Sequence, residues 1–540
     1  MLAVVALIVA ELFSPQAELP DRPRLVVVVS IDQFRADYLT RFADQYLPAQ
    51  EGSTVGGFNF LASRGANYVD AHYSHVPTYT GPGHSVIMTG SVPAINGIVG
   101  NAWFDRAGGK EMYCVDDDGV ETVGGTSNPM GPKNLRVTTV GDELKMATGG
   151  KSKVVGVAFK DRGSILLAGH AADTVVWFDG GTGNWLTSTH YAPEGKLDAW
   201  VEEVNALDVP QKTAGKSWTP LEGLDFSLAR NAPFMGDAVR TPVFSHAVRN
   251  SDGFITSSFG QEYVFETVEK GTVAEGLGLD DVPDVLVINL ATNDYVGHSF
   301  GPNSPEVLDI SVRTDRLLSR LFNFLDRTVP GGLEATAIVV TADHGVVPIP
   351  DEAREKYRVG SAIRGSNTQV NAAVESALAA KYGAGKYVLA NSNPNLYLDR
   401  ALLQGKKADL AEAQRIAAEA VRGVAGVFDA FAGEDIAAGR LPQAKWVEVV
   451  ANGFDRARCG DVVVLSSPGV LFSGGTGTSH GSIWPYDTHV PLLLFGPGVR
   501  PGTYAERVSV CDIAPTLSRM LRIEQPSGSI GRLLVRAVGD

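Results

Sequence analysis

Leu25-Val26-Val27-Val28-Val29-Ser30-Ile31-Asp32 decides the fold. The run is β-branched almost throughout and shows no polar alternation, so neither of its faces is built for water. It reads as a central parallel strand covered by helices on both sides. The run stops at Asp32, and Gln33-Phe34-Arg35-Ala36-Asp37-Tyr38-Leu39 then reads as helical. Open α/β sheets bind ligands beyond the carboxyl ends of their strands. Asp32 is therefore a site candidate, the alternative being a cap for the next helix.

The same pattern recurs along the chain. Lys153-Val154-Val155-Gly156-Val157-Ala158-Phe159 ends in Lys160-Asp161-Arg162. Val285-Leu286-Val287-Ile288-Asn289-Leu290 leads to Asp294 and His298, and Ala337-Ile338-Val339-Val340-Thr341 leads to Asp343-His344-Gly345. Leu492-Leu493-Leu494-Phe495-Gly496 is a closing strand. Ser304, Pro305 and Glu306 mark a helix start, and Leu317, Leu318, Leu321 and Leu325 give it one apolar stripe. The expected fold is α/β: a central mostly parallel sheet flanked by helices, with a smaller α/β insertion and loop-rich segments. Residues 21–349 are read as the core, with a loop-rich excursion over about 171–280, and residues 350–470 as the insertion. Residues 471–540 return to the core.

Composition sets limits on partners. The 540 residues are 44% hydrophobic and 20% charged, an ordinary globular balance, and the formal charge is −15. That charge repels a nucleic-acid backbone, so polymeric DNA or RNA is not an expected partner. Met1 to Ala10 is an apolar run, followed by Glu11 and Pro15 and too short to span a membrane. It resembles the core of a secretory signal, with Ala17 as a small residue near the cleavage point, though a basic n-region is missing. Residues 1–20 are read as that signal, the alternative being a buried strand, and the mature chain is expected to be periplasmic or secreted and monomeric. Cys114, Cys459 and Cys511 allow one disulfide and leave one thiol, with no zinc-ribbon spacing.

The chemistry gathers around His75-Val76-Pro77-Thr78-Tyr79-Thr80-Gly81-Pro82-Gly83-His84, a rigid turn that delivers a hydroxyl to a helix start. Unpaired N–H groups there suit an anion beside Thr80. The plainer reading makes Thr80 an N-cap. Thr78 is the weaker candidate. Asn101 lies in a Gly-bounded loop. If the extended chain continues through Lys160 and Arg162, both face one way and can clamp a phosphate; otherwise they are solvated charges. Asp294 and His298 share a face if their segment is helical. Asp343 and His344 form a compact oxygen-plus-nitrogen pair, and His480 sits in a Gly-rich loop with room around it. His170, His190, His246 and His489 are read as structural.

Asp32, Asp294, His298, Asp343, His344 and His480 together suit zinc better than magnesium, which prefers oxygen shells. They are enough for two metals of three protein ligands each, and Thr80 beside them would bind as an alkoxide.

The ordered set Ser30-Ile31-Asp32, Pro77-Thr78-Tyr79-Thr80-Gly81-Pro82-Gly83-His84, Val99-Gly100-Asn101, Lys160-Asp161-Arg162, Asp294 to His298, Ala342 to Gly345 and His480-Gly481-Ser482 resembles the alkaline phosphatase superfamily. Asp512 to Leu517 looks like its closing segment. The likeness is strongest to the threonine-nucleophile phosphatases of bacterial periplasms. The resemblance implies one zinc on Asp294, His298 and His480 and a second on Asp32, Asp343, His344 and Thr80. It implies a phosphothreonine intermediate, with Asn101, Lys160 and Arg162 holding the phosphate oxygens. Small phosphate monoesters of broad range and inorganic phosphate are the expected ligands. Nucleotide pyrophosphatase/phosphodiesterases, which as a family lack the Lys-x-Arg pair, are the alternative, since a dianionic monoester needs the added charge. Sulfatases need a Cys or Ser and an Arg that the Thr80 stretch lacks, and Thr80 argues against the serine-dependent phosphoglycerate mutases. From another class, an inactive zinc- or phosphate-binding module stays open.

Overall fold

A computed structural model describes residues 22–229, 244–356, 358–392, 394–472 and 475–539; the 1–20 signal expectation lies outside them. The central sheet has 11 strands. Those used below are β1 (Leu25–Ile31), β2 (Ala66–His72), β3 (Val154–Ala158), β4 (Thr174–Asp179), β5 (Asn184–Ser188), β6 (Asp284–Leu290) and β7 (Thr336–Thr341). β1 lies between β6 and β7, parallel to both, and β3 and β4 continue the parallel run beyond β6. Every residue of β1 is fully buried, as the unbroken apolar run requires. Each such Val or Ile side chain contributes about 1.5–3 kcal/mol relative to exposure.

Register positions the site. Ile31 stands opposite Leu290, and Ser30 opposite both Asn289 and Thr341. The carboxyl ends of three neighbouring strands therefore finish level, and Asp32, the Asp294 segment and Asp343 emerge side by side. Helices then carry the chain back: α1 (Thr80–Thr89), α2 (Asp161–Ala168), α3 (Ser258–Glu275), α4 (Thr292–Phe300) and α5 (Pro305–Thr328). Ser304 caps α5 by accepting from Val307 N at 3.1 Å, and the leucines of its stripe are buried.

The segment 171–280 corrects its expectation. Its short strands are there as β4 and β5, but they pair into the central sheet, and the 18-residue α3 on its flank is not loop-rich chain. The helix was hidden by its composition. Val264, Thr267, Val268 and Thr272 are β-branched, and Gly260 and Gly271 break any stripe. Gly271 has a tertiary reason, because a Cβ there would sit 2.9 Å from the Trp200 ring.

Beyond β7 a second, antiparallel sheet forms from β8 (Val388–Ser392), β9 (Asn395–Leu398), β10 (Val427–Ala432) and β11 (Val462–Ser466), in the order β8-β9-β11-β10. Helices α6 (Asn367–Tyr382) and α7 (Leu410–Arg422) cover it around Val374, Leu378, Leu396, Ala417 and Val421, a core of its own. This unit touches the Thr80 turn. Val76 packs with Phe431, Val450 and Val463, Val76 N donates to Val449 O at 3.1 Å, and a Cβ at Gly453 would collide with the Val76 carbonyl.

Cys114, Cys459 and Cys511 are all buried and unpaired, so the one disulfide that the count allows is not formed. Among the described residues no helix is long and apolar enough to cross a membrane.

Candidate active site

Thr80 is the first residue of α1, and the extended Tyr79 holds the cap position, with no side-chain cap bond. The N-cap reading of Thr80 is thus corrected: its hydroxyl is not spent on the helix. Thr80 Oγ1 is buried and lies 3.4 Å from His344 Nε2. Gly83 lets α1 dock tightly, since a Cβ there would collide with the Asp343 backbone. Thr78 turns away instead, donating its hydroxyl to Ser482 O at 2.9 Å.

Asp294 and His298 stand one turn apart on α4, with Nε2 of His298 3.1 Å from Oδ1 of Asp294. His480 Nε2 approaches the same oxygen at 3.8 Å. The tautomers follow from the backbone. His298 Nδ1 faces Thr478 O at 2.7 Å, His480 Nδ1 faces Thr78 O at 2.8 Å and His344 Nδ1 faces Gly345 O at 2.9 Å. A carbonyl can only accept, so each Nδ1 carries a proton, and in the neutral ring each Nε2 keeps its lone pair turned inward. A backbone-tied imidazole of this kind is the usual metal-ligand arrangement. The His344 and His480 rings stack at 3.4 Å between centroids, so the two halves of the site meet there.

The second half gathers Asp32, Asp343 and, unforeseen, His84, with His344 Nε2 at 3.1 Å from Asp343 Oδ2. His84 lies one turn along α1 from Thr80. Its Nδ1 donates to Thr80 O at 2.9 Å, which leaves Nε2 to accept from Asn289 Nδ2 at 3.0 Å. Asn289 also donates to Asp32 Oδ1 at 2.7 Å. Burial pushes the His84 pKa down to about 4, so the ring is neutral. Its i, i+4 spacing from Thr80 was visible in the sequence, but the carbonyl it holds was not.

Lys160 bridges the two halves. Its Nζ lies 2.5 Å from Asp32 Oδ2 and 2.5 Å from Asp294 Oδ2. The extended geometry expected through Lys160 and Arg162 is corrected: α2 begins at Asp161, and Lys160 is its N-cap residue. An acidic first residue suits the positive helix end and explains the early start. Arg162 Nη1 donates to the Tyr113 hydroxyl at 2.7 Å, and that hydroxyl donates to Asp161 at 2.6 Å. Tyr113 is a second residue that the sequence did not flag. Asn101 Oδ1 accepts from Gly81 N at 2.7 Å, fixing the amide beside Thr80 with its N–H groups free to donate.

The electrostatics call for cations. Burial first, then Asp343, raises the Asp32 pKa to about 7, with Lys160 offsetting part of the effect. Burial opposes the charge on Lys160, but Asp294 and Asp32 outweigh it and hold its pKa above the ordinary lysine value. Burial, then His344 and His298, keep His480 well below the ordinary histidine value. Asp343 Oδ2 is buried and accepts no hydrogen bond. An orphaned carboxylate oxygen beside inward-facing imidazole lone pairs fits a divalent metal with mixed oxygen and nitrogen ligands.

His170, His190, His246 and His489 are hydrogen-bonded parts of the fold. His170 contacts Asp142 at 3.1 Å, His190 the His170 carbonyl at 2.8 Å and His246 Glu306 at 2.9 Å. His489 stacks on His72 at 4.5 Å and bonds Val69 O at 2.9 Å.

Comparison with known proteins places the chain in a family. Residues 26–490 match the family described as type I phosphodiesterase / nucleotide pyrophosphatase. The alkaline phosphatase PhoV of Synechococcus elongatus is 37% identical over 525 residues, covering 95% of this chain and 92% of that protein. The alkaline phosphatase PafA of Elizabethkingia meningoseptica is 36% identical over 535 residues, covering 96% and 95%. The crystal structure of wild-type PafA superposes with a TM-score of 0.85 at 34% identity, over 96% of this chain and 99% of that one.

Proposed function

The chain belongs to the type I phosphodiesterase / nucleotide pyrophosphatase family, and from that premise we propose that it is a zinc-dependent alkaline phosphatase acting on a broad range of small phosphate monoesters. One observation carries the reading: three imidazole lone pairs and three buried carboxylates converge beside a helix-start hydroxyl that no cap bond consumes. Asp294, His298 and His480 would hold one zinc ion, and Asp32, Asp343 and His344 the other, with Thr80 joining the second. Bound zinc would supply Lewis-acid stabilisation of the attacking and leaving oxygens.

The chain's own groups do the rest. Thr80 Oγ1 loses its proton to solvent and forms a bond to phosphorus as the bond from phosphorus to the ester oxygen breaks; that oxygen leaves as the alcohol, protonated from solvent, and phosphothreonine remains. Water then attacks phosphorus and gives up a proton, Oγ1 departs and is reprotonated, and inorganic phosphate is released. The Thr80 N–H and the Asn101 amide nitrogen donate to phosphate oxygens, an arrangement suited to charge that builds in the transition state. Lys160 and Arg162 add the positive charge that a dianion requires. Lys160 stands between Asp32 and Asp294, and it would be released toward phosphate where bound zinc took over those carboxylates. Asn289 and His84 keep Asp32 and the Thr80 backbone in place. The apolar N-terminal run supports export to the periplasm or beyond.

Mass spectrometry of protein quenched during turnover of a monoester tests the mechanism. Phosphate on Thr80 is expected, and turnover with phosphate absent from Thr80 at every quench time overturns it. A second reading, phosphodiesterase, is favoured by the description of the matching family. Steady-state rates on a matched aryl monoester and diester separate the two, and diester preference would overturn the leading reading.

A further inference from the structure

Gln33 occupies a backbone conformation that its residue type disfavours. Its φ is 59°, in the left-handed region where glycine or asparagine is expected, and it is 1% exposed. The strand ladder persists to Asp32, whose N–H reaches Leu290 O at 3.1 Å, and the chain turns at the next residue. Asn293 holds the turn by donating to Asp32 O at 3.0 Å and Gln33 O at 3.2 Å.

What the turn achieves is visible at both ends of Gln33. Its backbone N–H donates to Asp343 Oδ1 at 3.0 Å, and its side-chain Nε2 donates to Asp294 Oδ1 at 2.6 Å. One residue thus grips a carboxylate from each half of the site. α4 is shaped to admit it: a Cβ at Gly297, between Asp294 and His298 on the helix, would collide with Gln33 Oε1. Strained backbone persists where the surroundings over-determine it, and such places concentrate at functional sites.

We infer that Gln33 is a positioning residue that fixes the two metal-binding carboxylates relative to each other. This rests on the proposed two-metal reading. With Asp343 Oδ1 held by the backbone and Asp294 Oδ1 by the amide, neither carboxylate can rotate freely. The separation of the two metal positions is thereby set by one residue, through its backbone on one side and its side chain on the other. Hydrogen-bonded partners of ligands commonly change metal affinity or activity about 10–100-fold when removed.

The test compares Gln33→Gly and Gln33→Asn with wild type. Both accept the left-handed turn, and both lose the reach to Asp294, since asparagine is one methylene shorter. Three quantities are measured: kcat and KM on an aryl phosphate, the rate of zinc loss to a chelator by elemental analysis, and the thermal midpoint of the metal-free protein. The expected result is a kcat about 10–100-fold lower with KM nearly unchanged, and zinc loss about 10-fold faster. The metal-free midpoint of Gln33→Gly should be equal to wild type or about 1–2 °C higher, as strain is relieved. Variants that keep wild-type kcat and zinc retention would overturn the inference alone. Metal-free midpoints several degrees lower in both variants would also overturn it, assigning Gln33 to the fold. Wild-type protein that holds fewer than two zinc equivalents and shows no monoesterase after zinc is restored would overturn the proposed function, and this inference with it.

Discussion

The Asp294–His298–His480 group and the Asp32–Asp343–His344 group use the same chemistry in different surroundings. In the first, the His298 side chain is 35% exposed, whereas Asp32, Asp343 and His344 in the second are at 0%. The first group is built on a helix and a late loop, and its imidazoles are tied to loop carbonyls. The second is built on the level ends of β1 and β7 and is sealed under α1. The difference separates two tasks. The exposed group can exchange with solvent and admit water, while the sealed group sits against the Thr80 hydroxyl and sets where it points.

The largest expected effect breaks the comparison at Thr80. Thr80→Val keeps the shape of the side chain without the hydroxyl, and monoester turnover should fall about 10⁴-fold or more. Zinc content measured on the same sample should match the wild type, because the six other proposed ligands are untouched. Next comes the pair that spans or flanks both groups. Lys160→Ala with Arg162→Ala should lower kcat/KM for a monoester about 10²–10³-fold and for a diester much less. Equal losses on both substrates would remove the charge argument.

A smaller effect sharpens the contrast in exposure. Chelator should strip zinc from the wild type in two phases about 10-fold or more apart, and His298→Ala should abolish the faster one. A single phase, or loss of the slow one, would reverse the assignment of open and sealed groups.

The smallest is a pH effect on the metal-free protein. The folded Asp32 pKa of about 7 lies above its ordinary carboxylate value, so its ionisation costs stability as pH rises toward 7, and none of that cost is felt in acid. Asp32→Asn removes that titration, so its thermal midpoint relative to wild type should rise between pH 5 and pH 8, by calorimetry without metal. A relative midpoint that falls with rising pH would contradict the sign.

How much of this was legible varies with the length scale of the cause. β1, β6 and β7 were readable because a strand buried on both faces needs an unbroken apolar run, and the acids and imidazoles at their ends follow in sequence. Asp294 with His298 was readable because helical spacing fixes it. α3 was not, because its burial comes from Trp200 and the sheet, which no window of eighteen residues contains. The shared facing of Lys160 and Arg162 depended on strand geometry continuing through them, and that condition fails because Asp161 starts a helix. Gln33, His84 and Tyr113 act by hydrogen bonds to residues 261, 205 and 48 positions away, respectively. Their identities hint at nothing until the chain is folded.

Gly453 gives the antiparallel unit a different standing from an appendage. Its missing Cβ leaves room for the carbonyl of Val76, four residues before Thr80, and Asn452 holds the Ser74 carbonyl at 2.7 Å. The turn that presents the hydroxyl is therefore clamped from a part of the chain more than 370 positions downstream. A truncated catalytic core lacking residues 367–466 would retain all six proposed metal ligands and the threonine, yet lose the abutment that keeps the hydroxyl aimed. Those who shorten or transplant this fold should regard the second sheet as part of the barrel that aims the shot.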